Sequence, residues 1–139
     1  MLITERWDAV MRIPIAALSL AALFAIHHSE AGASGPAIAR VWHGRVSVAR
    51  ADEYAKYLAE SIKKFRAIPG NRGYQVMRED AGTEAHFMVI SFWNSRDAIH
   101  GYAGADISKV RPLPRDGEFL IEPEATVRNY DLVVDELQR

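Results

Sequence analysis

The sequence predicts a single α+β domain whose elements follow the order strand, helix, strand, strand, helix, strand, with an antiparallel sheet. Three observations lead to this prediction. Apolar residues recur at helical spacing after Ala51, a turn at 80–83 separates two extended segments, and a second helical repeat follows Trp93. A period near 3.6 residues is typical of helices and a period of two is typical of strands. We therefore assign residues 37–139 to one domain and residues 1–36 to a leader with its linker.

The first strand is predicted from Ala37 to Val46, where side chains alternate between two faces of a sheet. One face carries Ile38, Arg40, Trp42 and Gly44, and the other carries Ala39, Val41, His43 and Arg45.

The first helix is predicted from Ala51, with two acidic residues in its first turn, where they suit the helix dipole. Its apolar stripe consists of Tyr54, Leu58, Ile62 and Phe65. Such a stripe needs a sheet to cover it. Residues 68–73 contain one proline and two glycines and are predicted to be a structured connection.

The second strand, from Tyr74 to Glu79, is followed by a hairpin turn in which Gly82 can take a positive φ. The third strand, from His86 to Trp93, is apolar at nearly every position, which is typical of a strand buried on both faces. Two helices cover only one face of so small a sheet. The sequence therefore predicts a homodimer packed sheet to sheet.

The second helix is predicted to begin after a cap at Asn94 or Ser95. It turns Ala98, Ile99, Tyr102 and Ala103 inward. Residues 105–123 contain three prolines and are predicted to form a short helical turn and a loop. Residues 125–134 form the closing strand.

The amino-acid composition excludes several classes of function. The chain has 139 residues, 49% of them hydrophobic and 25% charged, which suits one globular domain. A formal net charge of −1 gives no electrostatic reason to expect nucleic acid or an anionic membrane as partner. The absence of cysteine excludes disulfides, a thiol nucleophile and thiolate metal sites.

The leader indicates the compartment. An apolar run from Ile13 to Ile26 follows Arg12. It is shorter than the roughly 20 residues that a membrane span needs, has the length of a signal-peptide core, and precedes a small-x-small pattern at 31–33. We expect export to the periplasm or beyond, with a mature start near Ser34.

Two other readings of the leader stay open. It is alternatively an uncleaved membrane anchor, or the apolar N-terminal helix of a cytoplasmic protein. Glu5 and Asp8 are unusual in a positively charged n-region, so Met11 is the cleaner start of a signal peptide.

No local catalytic motif is present. The chain lacks a glycine-rich phosphate loop, a nucleophile elbow and a His-x-x-x-His pair. No metal site is predicted, and no Rossmann fingerprint supports a flavin or a nicotinamide.

Five segments together resemble the antibiotic biosynthesis monooxygenase (ABM) domain family. They are IARVWHGRV (38–46), DEYAKYLAESIKKF (52–65), IPGNRGYQVMRED (68–80), HFMVISFWNSRDAIHGYAG (86–104) and ATVRNYDLVV (125–134). The resemblance implies a ferredoxin-like β-α-β-β-α-β domain that forms a dimeric α+β barrel.

The resemblance also implies an activity. Oxygenases of this family are thought to hold an electron-rich aromatic compound in an apolar pocket. The substrate loses a proton, and its anion passes electrons to molecular oxygen, without metal or flavin. We therefore predict a cofactor-independent monooxygenase of a small aromatic or quinol-like compound, with oxygen as co-substrate.

Two residues are the candidates for catalysis. Trp93 matches the tryptophan that this family shows at the end of the third strand, and is predicted to stack on a flat ligand. His43 is the candidate general base, because the pKa of histidine lies near neutrality. If the first and third strands are parallel neighbours, these two side chains lie toward the same edge. Gly44 is predicted to leave room for a ligand or another backbone.

Two further residues are the candidates for substrate binding. Arg72, in the 68–73 connection, is predicted to bind an anionic group. Tyr102, on the buried face of the second helix, is predicted to reach the pocket with its hydroxyl group.

Two alternatives remain. A non-catalytic ligand-binding or stress-associated dimer would keep the fold without the chemistry, and export favours it. Haem-degrading relatives supply an axial histidine from the second helix or the segment after it. Residues 105–112 contain no histidine, and no asparagine stands at 41–43, so haem degradation is disfavoured.

Overall fold

A computed structural model describes residues 35–137. These residues form β1 (Ile38–Ser47), α1 (Ala51–Ile62), β2 (Asn71–Ala81), β3 (Glu84–Trp93), α2 (Arg96–Ala103), α3 (Asp116–Phe119) and β4 (Arg128–Asp131). The predicted α+β class and element order are confirmed, and α3 is the short helical turn expected within 105–123. The leader predicted for residues 1–36 lies outside the described residues, except for Gly35 and Pro36. Between residues 35 and 137, no helix is long and apolar enough to cross a membrane.

The sheet has the order β2-β3-β1-β4, and every neighbouring pair is antiparallel. The assumption that the first and third strands run parallel is therefore wrong. The crossover through α1 makes β2 run in the same direction as β1. A tight hairpin reverses the chain after β2, so β3, which fills the gap between them, runs antiparallel to both.

The hairpin confirms the turn predicted at 80–83. Ala81 pairs with Glu84, and Gly82 has a φ of 66°, which glycine adopts without a steric cost. β2 begins earlier than predicted, at Asn71, because a β-bulge lets the 71–73 segment join the sheet. The Asn71 Oδ1 atom accepts a hydrogen bond from the Gly73 N–H at 3.0 Å and fixes this bulge.

The predicted apolar stripe forms the core, although α1 ends at Ile62 and a 3-10 turn over Lys63–Ala67 carries its last residue, Phe65. Tyr54, Leu58, Ile62 and Phe65 are all buried against one face of the sheet, which we call the inner face. Burial of each such side chain stabilises the fold by about 1.5–3 kcal/mol. Single large-to-small changes along this stripe are therefore costly.

The second helix covers the other end of the inner face. The Ser95 Oγ atom caps α2 by accepting a hydrogen bond from the Ala98 N–H at 3.1 Å. Ile99 is fully buried against Ile38 and Trp93. The cap and the inward face of this helix are therefore as predicted.

The opposite side of the sheet, which we call the outer face, is only partly covered. Along β3, His86 is exposed, Met88 and Ile90 are half-buried, and Phe92 is buried. Within one chain β3 is thus buried along its whole inner side, whereas on its outer side only Phe92 is buried.

The closing strand is shorter than predicted. β4 spans four residues and pairs with β1 only from Ile38 to Val41. Since β1 starts at Ile38, regular pairing has no partner beyond Asp131, and only the Leu132 N–H still bonds to the Ala37 carbonyl oxygen, at 2.8 Å.

Candidate functional site

A cavity lies between the inner face of the sheet, α1 and the loop 104–127. Its volume is about 50 Å³. Apolar and aromatic side chains form most of its lining, and seven of the lining residues carry polar groups: Arg40, Trp42, Tyr54, Ser91, Tyr102, Arg111 and Asp116. Enclosed apolar spaces with a few convergent polar groups are the usual form of small-molecule sites.

Arg40 brings a buried positive charge to this cavity. It lies on the inner face of β1 and is 5% exposed. Its guanidinium group donates to the carbonyl oxygens of Ile107 and Lys109, the latter at 2.8 Å, and to Asn129 Oδ1 at 3.3 Å. These acceptors are neutral, so the charge is not cancelled by them. Burial lowers the pKa of Arg40 through desolvation.

These hydrogen bonds also hold the loop in place. Ile107 and Lys109 belong to the loop 104–127, and Asn129 Nδ2 donates to the Ile107 carbonyl oxygen at 3.0 Å. Arg40 therefore joins β1 to one end of the loop. The sequence places Arg40 on an inward position of an alternating strand, and a charged residue there is the signal that could have identified it.

Asp116 brings a buried carboxyl group to the same cavity. It is the first residue of α3 and is 5% exposed. Its Oδ1 atom accepts from the Tyr54 hydroxyl at 3.1 Å, and its Oδ2 atom accepts from the Leu113 N–H at 2.7 Å. Burial raises the pKa of Asp116, and these two hydrogen bonds partly oppose the rise. Burial likewise raises the pKa of Tyr54.

Asp116 was not identified from the sequence. The segment Pro114-Arg115-Asp116-Gly117 has the composition of an exposed turn. No local signal shows that its carboxyl group folds inward.

Trp93 and Tyr102, two of the predicted site residues, lie against each other. Their rings stack with centroids 5.8 Å apart. Tyr102 lines the cavity, whereas Trp93 lies behind it, is fully buried, and donates from Nε1 to the Ser91 Oγ atom at 2.9 Å. Burial raises the pKa of Tyr102, and the positive charge of Arg40 opposes the rise.

His43 is not brought to this cavity. It lies on the outer face, opposite Met88, whereas Trp93 lies on the inner face, opposite Ile38. Five register positions separate the two along the strands, or about 17 Å at 3.3–3.4 Å per residue. His43 instead lines a polar groove with Arg45 and His86.

The indole ring of Trp42, and not a ligand, fills the space beside Gly44. A Cβ atom on Gly44 would overlap the indole ring of Trp42 and would lie 2.9 Å from Leu120 Cδ2. Glycine at this position therefore lets Trp42 lie flat along β1 and close one side of the cavity.

Arg72 also lies away from the cavity. It is exposed and occupies the bulged position between Asn71 and Gly73. Within residues 35–137, its side chain forms no hydrogen bond or ion pair. In the same part of the chain, no group of three or more His, Asp or Glu side chains is arranged to hold a metal ion.

The comparisons with known proteins agree with this architecture. The sequence profile of the antibiotic biosynthesis monooxygenase family matches residues 41–109. No curated protein matches the chain in sequence.

Several solved structures share the fold. A protein of unknown function from Nitrosomonas europaea has 12% identity, covers 75% of this chain and 96% of its own, and has a TM-score of 0.56. A candidate antibiotic biosynthesis monooxygenase from Bacillus cereus has 11% identity, coverages of 76% and 99%, and a TM-score of 0.51. The haem degrader MhuD from Mycobacterium tuberculosis, solved with two haems in its active site, has 22% identity, coverages of 70% and 97%, and a TM-score of 0.50. At these identities the likeness establishes the fold alone.

Proposed function

Because residues 41–109 of the chain belong to the antibiotic biosynthesis monooxygenase family, we propose that the protein is an oxygenase of a small aromatic or quinol-like compound. It requires no metal, haem or flavin, and molecular oxygen is its co-substrate. The observation that supports this proposal is the cavity in which the buried Arg40 and the aromatic Tyr102 converge.

The chemistry explains why these two groups suit the reaction. A phenol or anthrone passes electrons to oxygen far more readily once it has lost a proton. The enzyme must therefore stabilise an anion and exclude water. Arg40 supplies a fixed positive charge in a buried place, where it acts more strongly than in water. Tyr102 offers a flat ring for contact with the substrate and a hydroxyl group for a hydrogen bond.

The cavity has to widen before a substrate enters. Its volume of about 50 Å³ is well below the roughly 300–1,000 Å³ of typical ligand pockets. The loop 104–127 contributes Val110, Leu113 and Val127 to the lining, and its one regular helix, α3, has only four residues. We propose that this loop moves outward when substrate binds.

A homodimer is part of the proposal. The outer face carries apolar side chains that one chain leaves partly exposed, including Val41, Met77, Met88, Ile90 and Tyr130. Packing two such faces together would remove this surface from water, as in the α+β barrels of the family.

The alternative is a dimeric ligand-binding protein that keeps the same cavity without catalysis. A haem-degrading role is the third reading. No histidine lines the cavity among the described residues. His100 is exposed, with its Nδ1 atom 2.9 Å from the Gly104 carbonyl oxygen.

Oxygen uptake by the full-length protein tests the proposal. The assay uses a panel of anthrones, naphthols and quinols with a chelator present. We expect uptake above the uncatalysed rate for at least one class, and a large loss in Tyr102→Phe, which removes only a hydroxyl group. Tyr74→Phe makes the same change on β2, at a ring that does not line the cavity, and serves as the control.

Two results would redirect the assignment. A folded protein that binds members of the panel without oxygen uptake is the ligand-binding protein. A Soret band after addition of haem, with stoichiometric binding, indicates the haem-dependent reading instead.

A further inference from the structure

We propose that Asp116 is the proton acceptor of the cavity, and that it takes the proton of a bound phenol or enol hydroxyl group. Arg40, which lines the same cavity from β1, then stabilises the anion that forms. This inference rests on the proposed function, since it names the residue that starts that reaction.

The first support is the environment of the carboxyl group. Asp residues are almost never buried unless they are paired, yet Asp116 is 5% exposed. Within residues 35–137, no Lys, Arg or His side chain forms a salt bridge with it. Its two hydrogen bonds come from neutral donors, the Tyr54 hydroxyl and the Leu113 N–H. An anchor for α3 does not require burial, because an exposed Asp can accept a backbone bond equally well.

The second support is that the carboxylate of Asp116 can still accept further hydrogen bonds. Each oxygen of a carboxylate has about two lone-pair positions, and each oxygen of Asp116 has one protein donor. The residue lines the cavity. A ligand hydroxyl group in the cavity can therefore reach a free position on Asp116.

The third support is the balance of charge. In the proposed step, the O–H bond of the ligand breaks and a new O–H bond forms on Asp116. The carboxylate becomes a neutral carboxyl group, and the ligand becomes an anion. The total charge of the cavity stays the same, so the step avoids the large cost of creating a new buried charge. Burial also raises the pKa of Asp116, which makes it a stronger base.

The same geometry argues against His43 as the acceptor. His43 lies on the outer face, with the sheet between it and the cavity. Of the residues that line the cavity in the described part of the chain, Asp116 is the one with a carboxyl or imidazole side chain.

Proton release on ligand binding is the first test, and it does not depend on turnover. Para-nitrophenol is titrated calorimetrically into the full-length protein below the pKa of the free phenol, in buffers of different ionisation enthalpy, while absorbance reports the phenolate. The wild type should bind phenolate with almost no proton released, because Asp116 retains it. In Asp116→Asn, roughly one proton per bound phenolate should leave to the buffer. Equal proton release in the two proteins, binding as the neutral phenol, or no binding to the wild type overturns the inference.

The pH profile of oxygen uptake is the second test, and it leaves Asp116 in place. Tyr54→Phe removes a donor that lowers the pKa of Asp116. If Asp116 is the base, the acid limb of kcat/KM should move to higher pH by about one unit. An unchanged limb in Tyr54→Phe, or a limb that disappears in His43→Ala, overturns the inference.

The two proposals fail in different ways. Uptake that persists in Asp116→Asn with an unchanged pH profile refutes the role of Asp116 and keeps the oxygenase. Absence of uptake in the wild type, with proton retention that depends on Asp116, refutes the oxygenase and keeps the proton acceptor. Asp97→Asn, the same change on the exposed surface of α2, is the control for both tests.

Discussion

The rings of Trp93 and Tyr102 stack at an interplanar angle of 22°, with Tyr102 against the cavity and Trp93 buried behind it. Tyr102 also meets Phe65 edge to face, with ring centroids 5.0 Å apart. The orientation of the tyrosine hydroxyl group therefore depends on two buried aromatic neighbours. Trp93 positions a residue of the site and need not touch the ligand itself.

Trp93→Phe should destabilise the fold by about 2 kcal/mol, because it leaves a void and removes the hydrogen bond to Ser91 Oγ. The measurement is urea unfolding followed by fluorescence or circular dichroism. Tyr130→Phe, at a half-exposed position, should change stability by less than about 0.5 kcal/mol. Equal stabilities of Trp93→Phe and the wild type would contradict the structural role given to the indole.

Gly44→Ala should destabilise the fold by about 1–3 kcal/mol, because the new methyl group overlaps Trp42 and forces its ring to move. Gly101→Ala is the matched control: it lies in α2, and nothing lies within 4 Å of its added Cβ atom. That change should instead stabilise the protein by about 0.5–1 kcal/mol. Thermal unfolding of the two variants side by side measures the contrast, and a tolerated Gly44→Ala would show that Trp42 is loosely packed.

Arg40→Met should destabilise the protein by about 2–4 kcal/mol, because it leaves the carbonyl oxygen of Lys109 without its donor and that of Ile107 with Asn129 Nδ2 alone. Amide hydrogen exchange should accelerate most in residues 105–112, where the loop loses its attachment to β1. Arg72→Met, at an exposed position away from the cavity and the loop, is the control and should leave that exchange pattern close to the wild type. Uniform acceleration over the whole domain would mean that Arg40 supports the fold in general and not the loop.

Asp116→Asn should change how stability depends on pH. The pKa of Asp116 is higher in the folded protein than its ordinary value, so folding favours the protonated form. Its contribution to the free energy of unfolding is present at low pH and is lost as pH rises from the ordinary pKa through the raised one. The wild type should therefore lose stability relative to Asp116→Asn over that interval.

Urea unfolding at a series of pH values measures this difference, with Asp97→Asn as the reference for carboxylates in general. A difference between wild type and Asp116→Asn that stays constant with pH would show that the folded-state pKa of Asp116 is not raised.

Ile90→Arg should convert the proposed dimer to a monomer, because it places a charge on the outer face where the second copy would pack. Sedimentation velocity of the full-length protein measures the mass. Ala59→Arg adds the same charge to an exposed position of α1 and should remain dimeric. A wild type that sediments as a monomer would refute the dimer directly.

The sequence predicts those parts of the structure that depend on local pattern. The stripe from Tyr54 to Phe65, the Gly82 turn and the Ser95 cap are each determined by neighbours within a few residues, and each is confirmed. Strand direction depends on which strands meet in space, so the assumption about the first and third strands was open to error. The expectation that His43 and Trp93 lie toward the same edge rested on that assumption, and it was wrong for the same reason.

The residues of the cavity, too, are predicted from the sequence only where a local pattern determines their burial. Tyr102 was identified because a helical period shows which side of α2 is buried. The alternation of β1 groups Arg40 with Ile38 and Trp42, but the role of Arg40 depends on a loop some seventy residues later in the chain. Asp116 lies on an irregular loop, where no period relates position to burial.

The short β4 leaves the later half of β1 as the edge of the sheet, and an unprotected edge invites pairing with other chains and aggregation. Residues 121–122 cover this edge of β1. The Ile121 N–H donates to the Arg45 carbonyl oxygen at 2.8 Å, and the Glu122 carboxylate forms a salt bridge with the Arg45 side chain at 2.7 Å. The loop that closes the cavity thus also covers the unpaired edge of β1. If the loop moves to admit a substrate, residues 121–122 have to stay on β1 to keep this edge covered. Substitutions that loosen the loop should therefore reduce solubility as well as alter ligand binding.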